Sequence, residues 1–291
     1  LTRLLFATLS ALSLFVLAAC GGGGAATTPT PSPDPIDLVQ QTAENIRSAD
    51  TFRLAVTQQG PDYAINTDYG SVLFRRASAQ YVSPGVIQAS VRVNAAGIPL
   101  DVDVFSRGEN QWYRAIWTGN NWLNQAFSPG FNPESLIAED TGFQAAMDSV
   151  IDLSYIGTTT LENGANVHHL RGTADGSDVN ALLVGLIETQ GVVGVDIFID
   201  QTTLYPARVT LTETVYDEDG TPTVEPRIWT IDILDINAPA NLDDPEVGAR
   251  LASPAESIPD AAAESIPDAA AESTPDSTAE MTPEPTESSG A

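Results

Sequence analysis

The sequence predicts an α+β fold: a strongly curved antiparallel β-sheet, a half-barrel, with helices covering the concave face. Three observations lead there. Apolar–polar alternation of period two recurs along the chain from Phe52 to Ile233, the pattern of strands with one buried face. Turn signals at Gly97, Gly108, Gly119-Asn120 and Asn163-Gly164 join neighbouring strands closely enough for an antiparallel meander. Helical periodicity is confined to short stretches, so the helices are few and segregate to one side of the sheet. A sheet of many strands curls, and helices over its hollow side enclose an apolar space.

The elements follow in order. Asp37 to Ser48 reads as a helix with Leu38, Thr42 and Ile46 on one face. Phe52, Leu54 and Val56 then alternate with Arg53, Ala55 and Thr57, which opens the strands. Further strands are expected at Ser71–Arg75, Ala79–Val82, Ile87–Val93, Pro99–Phe105, Gln111–Ala115 and Asn121–Asn124. Asn132 is an N-cap with Pro133 at the first helical position, giving a short helix to Ala138 and another over Thr141–Ile151. Strands resume at Ser154–Leu161 and Val167–Gly172. Ser177 caps a helix over Asp178–Thr189, and strands at Val193–Ile199, Ala207–Tyr216 and Thr223–Ile233 complete the set.

The chain is longer than this core. Leu4 to Ala18 is apolar and small after Thr2-Arg3; fifteen such residues suit a signal-peptide core better than a membrane span. Leu17-Ala18-Ala19-Cys20 resembles the bacterial lipobox, which implies cleavage before Cys20, a diacylglyceryl group on its sulfur and a stable two-chain anchor. Residues 1–19 are therefore expected to be a signal peptide and 20–36 a lipidated cysteine with a flexible tether. The folded domain is expected at 37–246. Residues 247–291 are expected to be a disordered acidic tail in which Ser257-Ile258-Pro259-Asp260 recurs at 265–268 and, with Thr for Ile, at 273–276.

The net charge is -27, and all twelve basic residues are arginine. Such a surface repels phosphate backbones, which argues against nucleic-acid partners, and lysine chemistry is excluded. No Gly-x-Ser-x-Gly elbow or phosphate loop is present. His168 and His169 are adjacent, so on a strand they point to opposite faces and cannot jointly hold a metal. Asp101 and Asp103 share a face and are a candidate acid–base or cation pair, or simply the solvated side of the strand carrying Leu100, Val102 and Val104. Asp217-Glu218-Asp219-Gly220 resembles part of a calcium loop, and a turn also suffices. Trp112, Tyr113, Trp117 and Trp122 are aromatics for sugar stacking, a membrane interface or packing across strands. No cofactor and no catalytic residue is expected.

Three stretches carry a resemblance to the LppX/LprA/LprF/LprG family of bacterial lipoproteins, relatives of the LolA/LolB carriers. They are Asp103-Val104-Phe105 through Trp112-Tyr113 to Trp122; Phe131-Asn132-Pro133-Glu134-Ser135-Leu136 with Gly142-Phe143; and Val195 to Asp200 with Leu204-Tyr205-Pro206-Ala207-Arg208-Val209. The resemblance implies a membrane-anchored extracytoplasmic protein that binds acyl chains of a lipid or lipoglycan in an apolar cavity and carries them across the envelope to a transport partner. Strand alternation selects Val91, Val93, Leu100, Val102, Val104, Ile197, Ile199, Val209 and Leu211 as expected liners; each of them serves equally well in a solid core. The alternative is a non-catalytic binding or sensing lipoprotein that presents its sheet to a protein partner.

Overall fold

The computed structural model describes residues 32–67, 70–128, 130–183, 187–217 and 219–246. Cys20, the lipobox, most of the tether and the repeat-bearing tail lie outside the described residues, as does Glu218 of the acidic turn.

Helix α1, Pro35–Arg47, starts where Asp34 Oδ1 accepts the Ile36 amide at 2.8 Å, with Pro35 already set for the first turn. Leu38, Val39, Thr42, Ala43 and Ile46 form its buried stripe. Twelve strands follow: β1 Thr51–Gln59, β2 Ala64–Thr67, β3 Gly70–Val82, β4 Val86–Ala95, β5 Ile98–Arg107, β6 Asn110–Arg114, β7 Leu123–Asn124, β8 Ile151–Thr160, β9 Asn166–Asp175, β10 Val192–Asp200, β11 Pro206–Glu213 and β12 Arg227–Leu234. They make one antiparallel sheet in the order β7-β6-β5-β4-β3-β1-β12-β11-β10-β9-β8, with β2 paired only to β3. The sheet is open, not a closed barrel, and its middle is the pairing of the first strand with the last, Leu54 opposite Ile233.

Between β7 and β8 lie a 3-10 turn, Pro133–Leu136, and α2, Gly142–Asp148; between β9 and β10 lie α3, Gly176–Val179, and a 3-10 turn, Asn180–Leu183. With α1 these cover the concave face. The lid pieces are short for local reasons. Asn132 Oδ1 caps the first by accepting the Glu134 amide at 3.0 Å. Gly142 has φ 66°, and a Cβ there would lie 2.1 Å from the Ser135 carbonyl, so only glycine lets α2 start against the preceding turn.

Several elements differ from the expectations. The two short strands expected over 71–82 are one, β3, interrupted by a register shift between Phe74 and Arg76; the extra residue is Arg75, and bulges of this kind keep the strand continuous. β2 lacks a clear alternation and was not expected. The helix expected over 178–189 is replaced by α3 and a 3-10 turn, because Asp175 rather than Ser177 is the cap, its Oδ1 accepting the Ser177 amide at 2.9 Å. Among the described residues no helix is long and apolar enough to cross a membrane.

Because neighbouring strands alternate in direction, the sheet has two rims. The upper rim holds the β4–β5 turn, the ends of β1, β9 and β11 and the starts of β8, β10 and β12. The lower rim holds the β5–β6, β8–β9 and β10–β11 turns. Helix α1 ends at the lower rim, where Asn45 Nδ2 donates to the Thr203 carbonyl at 3.2 Å.

The convex face carries a second, smaller cluster. Gln80, Gln88, Phe105 and Trp112 are register partners across β3, β4, β5 and β6. The segment after β12 crosses this row as a strap: Gln80 and Gln88 accept the amides of Asn241 and Asp243. Arg107 pairs with Asp244 and Glu246, and Arg114 pairs with Asp243. Pro245 is buried, and Phe105 is 0% exposed although it points outward.

Candidate functional site

The site is the space between the concave sheet and the lid. Inward residues come from alternate positions of the strands: Phe52, Leu54 and Val56 on β1, Ala77 and Ala79 on β3, Ile87 and Ala89 on β4, Ile231 and Ile233 on β12. The lid answers with Ile46 of α1, Leu136 and Ile137, Phe143 of α2, and Leu182, Leu183 and Ile187. Among the described residues this space includes two voids, of about 30 and 20 Å³, and Leu54 borders both. A water needs roughly 10–15 Å³ of such space and several polar partners. The walls are almost wholly apolar, and neither void as it stands has room for an acyl chain.

The expected liners divide accordingly. Val209 borders one void and Val104 the other. Val91, Val93, Ile197, Ile199 and Leu211 are buried in the core without bordering either, and Leu100 and Val102 are half-buried at its margin. The sequence reading did not select β1, β12 or the lid as liners. The alternation of Phe52, Leu54 and Val56 was visible, but the place of β1 at the sheet's centre was not.

One ionic group belongs to the inward face. Arg227, at the start of β12, and Glu213, at the end of β11, form a pair at 3.0 Å with both side chains nearly buried. Arg227 also donates to the carbonyls of Pro61 at 3.1 Å and Asp62 at 3.0 Å and lies over the Tyr63 ring. Glu213 accepts the Gln190 amide and, at 3.5 Å, the Trp229 indole N–H. A buried pair satisfied this fully staples the upper end of the interior. Thr42 Oγ1 donates to the Leu38 carbonyl at 2.7 Å.

The other candidate residues are engaged in the sheet. Asp101 bonds Arg92, which holds its carboxyl below the ordinary range, and Asp103 bonds Arg114. His168 Nδ1 lies 3.1 Å from the Tyr155 hydroxyl, whereas His169 meets Asp196 at 2.6 Å and stacks on Phe198. The two rings therefore have separate partners, and among the described residues no group of three metal-ligating side chains forms. Asp217 Oδ1 accepts the amides of Asp219 and Thr221, the geometry of a turn. Trp112 and Trp122 pack on Phe105 in the convex cluster, with Arg114 over the Trp122 ring at 4.4 Å. Trp117 is exposed.

An open antiparallel half-barrel with a lidded apolar interior is the class that fold and site define. The chain belongs to the LppX_LprAFG lipoprotein family, whose sequence model matches residues 34–239. Among solved structures, LprF from Mycobacterium bovis is similar with 15% identity over 74% of this chain and 99% of its own, at a TM-score of 0.51. The lipoprotein LppX from Mycobacterium tuberculosis is similar with 16% identity over 73% of this chain and 100% of its own, at a TM-score of 0.49. No curated protein matches.

Proposed function

We propose that the chain is a non-catalytic lipoprotein, anchored through Cys20 on the extracytoplasmic face of a membrane, that shelters acyl chains of a lipid or lipoglycan between sheet and lid. It carries them across the envelope to a transport partner. The observation that carries this reading is the construction of the interior. One continuous apolar surface of the sheet is covered by four pieces of four to seven residues besides α1, and the voids meet at one residue, Leu54. A lid of one- and two-turn pieces has few internal hydrogen bonds to hold it together, whereas the strands beneath are paired along their length. Lifting the lid joins the two voids into one channel. Burying an acyl chain of sixteen methylenes stabilises it by roughly 13 kcal/mol at about 0.8 kcal/mol each, enough to offset the displacement of several lid side chains.

The test is the lipid content of the protein expressed in a bacterium with Cys20→Ser. Native mass spectrometry should show a lipid adduct near one equivalent, reduced at least tenfold in Ala79→Phe/Ala89→Phe, whose added rings fill the floor of one void. Protein free of lipid in both forms would overturn the reading. The small volume of the voids favours the second reading, a binding or sensing lipoprotein that works through its surface; it requires a lipid-free protein that captures an envelope protein.

A further inference from the structure

The two rims differ in what they expose. Ile98, Trp117, Ile151, Val192, Tyr216 and Val224 are all more than half exposed. Ile98 is in the β4–β5 turn, Ile151 and Val192 start β8 and β10, and Tyr216 and Val224 are on the β11–β12 connection. Trp117 follows β6, which runs toward the same rim. All six therefore stand at or beside the upper rim. Among the described residues the lower rim exposes no large apolar side chain; its turns carry Arg107, Glu109, Glu162 and Asp200.

We propose that the upper rim is a membrane-docking surface that inserts these side chains into the headgroup region of an electrically neutral bilayer. Two features choose that occupant. The apolar groups are separate prongs on several turns and strand ends, which a fluid interface accommodates one by one, whereas a protein partner needs a matching pit for each. Tryptophan and tyrosine are among them, the side chains that favour the water–hydrocarbon boundary. The charges decide the lipid. Asp217, Asp219 and Glu225 flank Tyr216 and Val224, and Arg75 and Arg92 nearby are already paired with Asp62 and Asp101. An anionic surface is therefore repelled. This adds a place of contact to the proposed function, and because its test reads vesicles rather than cargo, either can fail without the other.

The experiment is co-sedimentation of the chain from residue 20 onward, with Cys20→Ser, on phosphatidylcholine vesicles with and without phosphatidylglycerol. The parent should bind the neutral vesicles, lose affinity when the anionic lipid is added, and keep its affinity on neutral vesicles as salt rises. Ile98→Ser/Trp117→Ser should lower the bound fraction at least fivefold. Quenching of the parent's fluorescence by brominated phosphatidylcholine, absent in Trp117→Phe, checks insertion in a variant that leaves the fold untouched. No binding to neutral vesicles, undiminished binding by the double variant, or stronger binding to anionic vesicles would each overturn the proposal. So would a parent that dimerises without vesicles and a double variant that does not, since the rim would then belong to a second copy.

Discussion

Leu54 offers the sharpest test of how the interior is packed. It lies on β1 between β3 and β12, 7% exposed, and borders both voids. Leu54→Ala removes three carbons, worth roughly 2.4 kcal/mol at about 0.8 kcal/mol each. The backbone on both sides is fixed by paired strands, so the site cannot collapse, and a residual void of about 60 Å³ at ~24 cal/mol per Å³ adds roughly 1.4 kcal/mol. The expected loss is about 4 kcal/mol, against about 1 kcal/mol for Leu100→Ala at the half-buried margin. Urea unfolding followed by tryptophan fluorescence measures it, as a lower midpoint with an unchanged slope. A loss below about 1 kcal/mol for Leu54→Ala would mean that the lid is already lifted in solution, and the reasoning from a closed, filled interior would be refuted.

Other expectations follow from the polar groups. Glu213→Gln leaves Arg227 buried without its carboxylate and should lower stability by about 3–5 kcal/mol, far more than Asp101→Asn at the exposed Arg92 pair, which should change it by less than about 1 kcal/mol; urea midpoints compare them. Burial pushes the Tyr81 phenol up to about 12, with Glu134 adding to the shift, while its O–H donates to the Pro84 carbonyl at 2.7 Å. The unfolded chain gives up this proton first, so the stability the phenol contributes is intact below about pH 10 and is lost as pH rises toward 12. Tyr81→Phe should remove that part of the pH dependence. Arg107→Gln/Arg114→Gln should free the strap and expose Phe105 and Trp112, seen as a red shift of tryptophan emission and a weaker fluorescence under high salt.

Most strands were legible because they bury one face: the alternation at Phe52–Val56, Val86–Ala95 and Val192–Asp200 fixes both the element and its inward side. The hairpin at Asn163-Gly164 was legible from its turn chemistry. What pairs with what over long distances was not. The meeting of β1 with β12 depends on registers some 180 residues apart, and no local pattern encodes it. The burial of Phe105 was illegible for the same reason: the strap crossing its row is held by Asp244 and Glu246, whose bonds to Arg107 span 137 and 139 residues. The helical reading of 178–189 failed because a period of apolar residues cannot distinguish a helix from two turns with Leu182 and Leu183 inward. For the site, alternation told which residues face inward. It did not tell which border a void, because that depends on where the tips of Leu136, Phe143 and Leu183 come to rest. Hence Val104 and Val209 border voids while Ile197 and Leu211, read by the same rule, are packed solid.

Trp229 is the natural reporter of an occupied interior. It is fully buried on the inward face of β12 and meets Phe74, a void-lining residue, at 5.5 Å between ring centroids. With Trp112, Trp117 and Trp122 replaced by phenylalanine, titration with a fatty acid brominated along its chain reads that one indole. Uptake under the lid predicts quenching that saturates near one equivalent and vanishes in Ala79→Phe/Ala89→Phe. Emission that stays constant through the titration would contradict it.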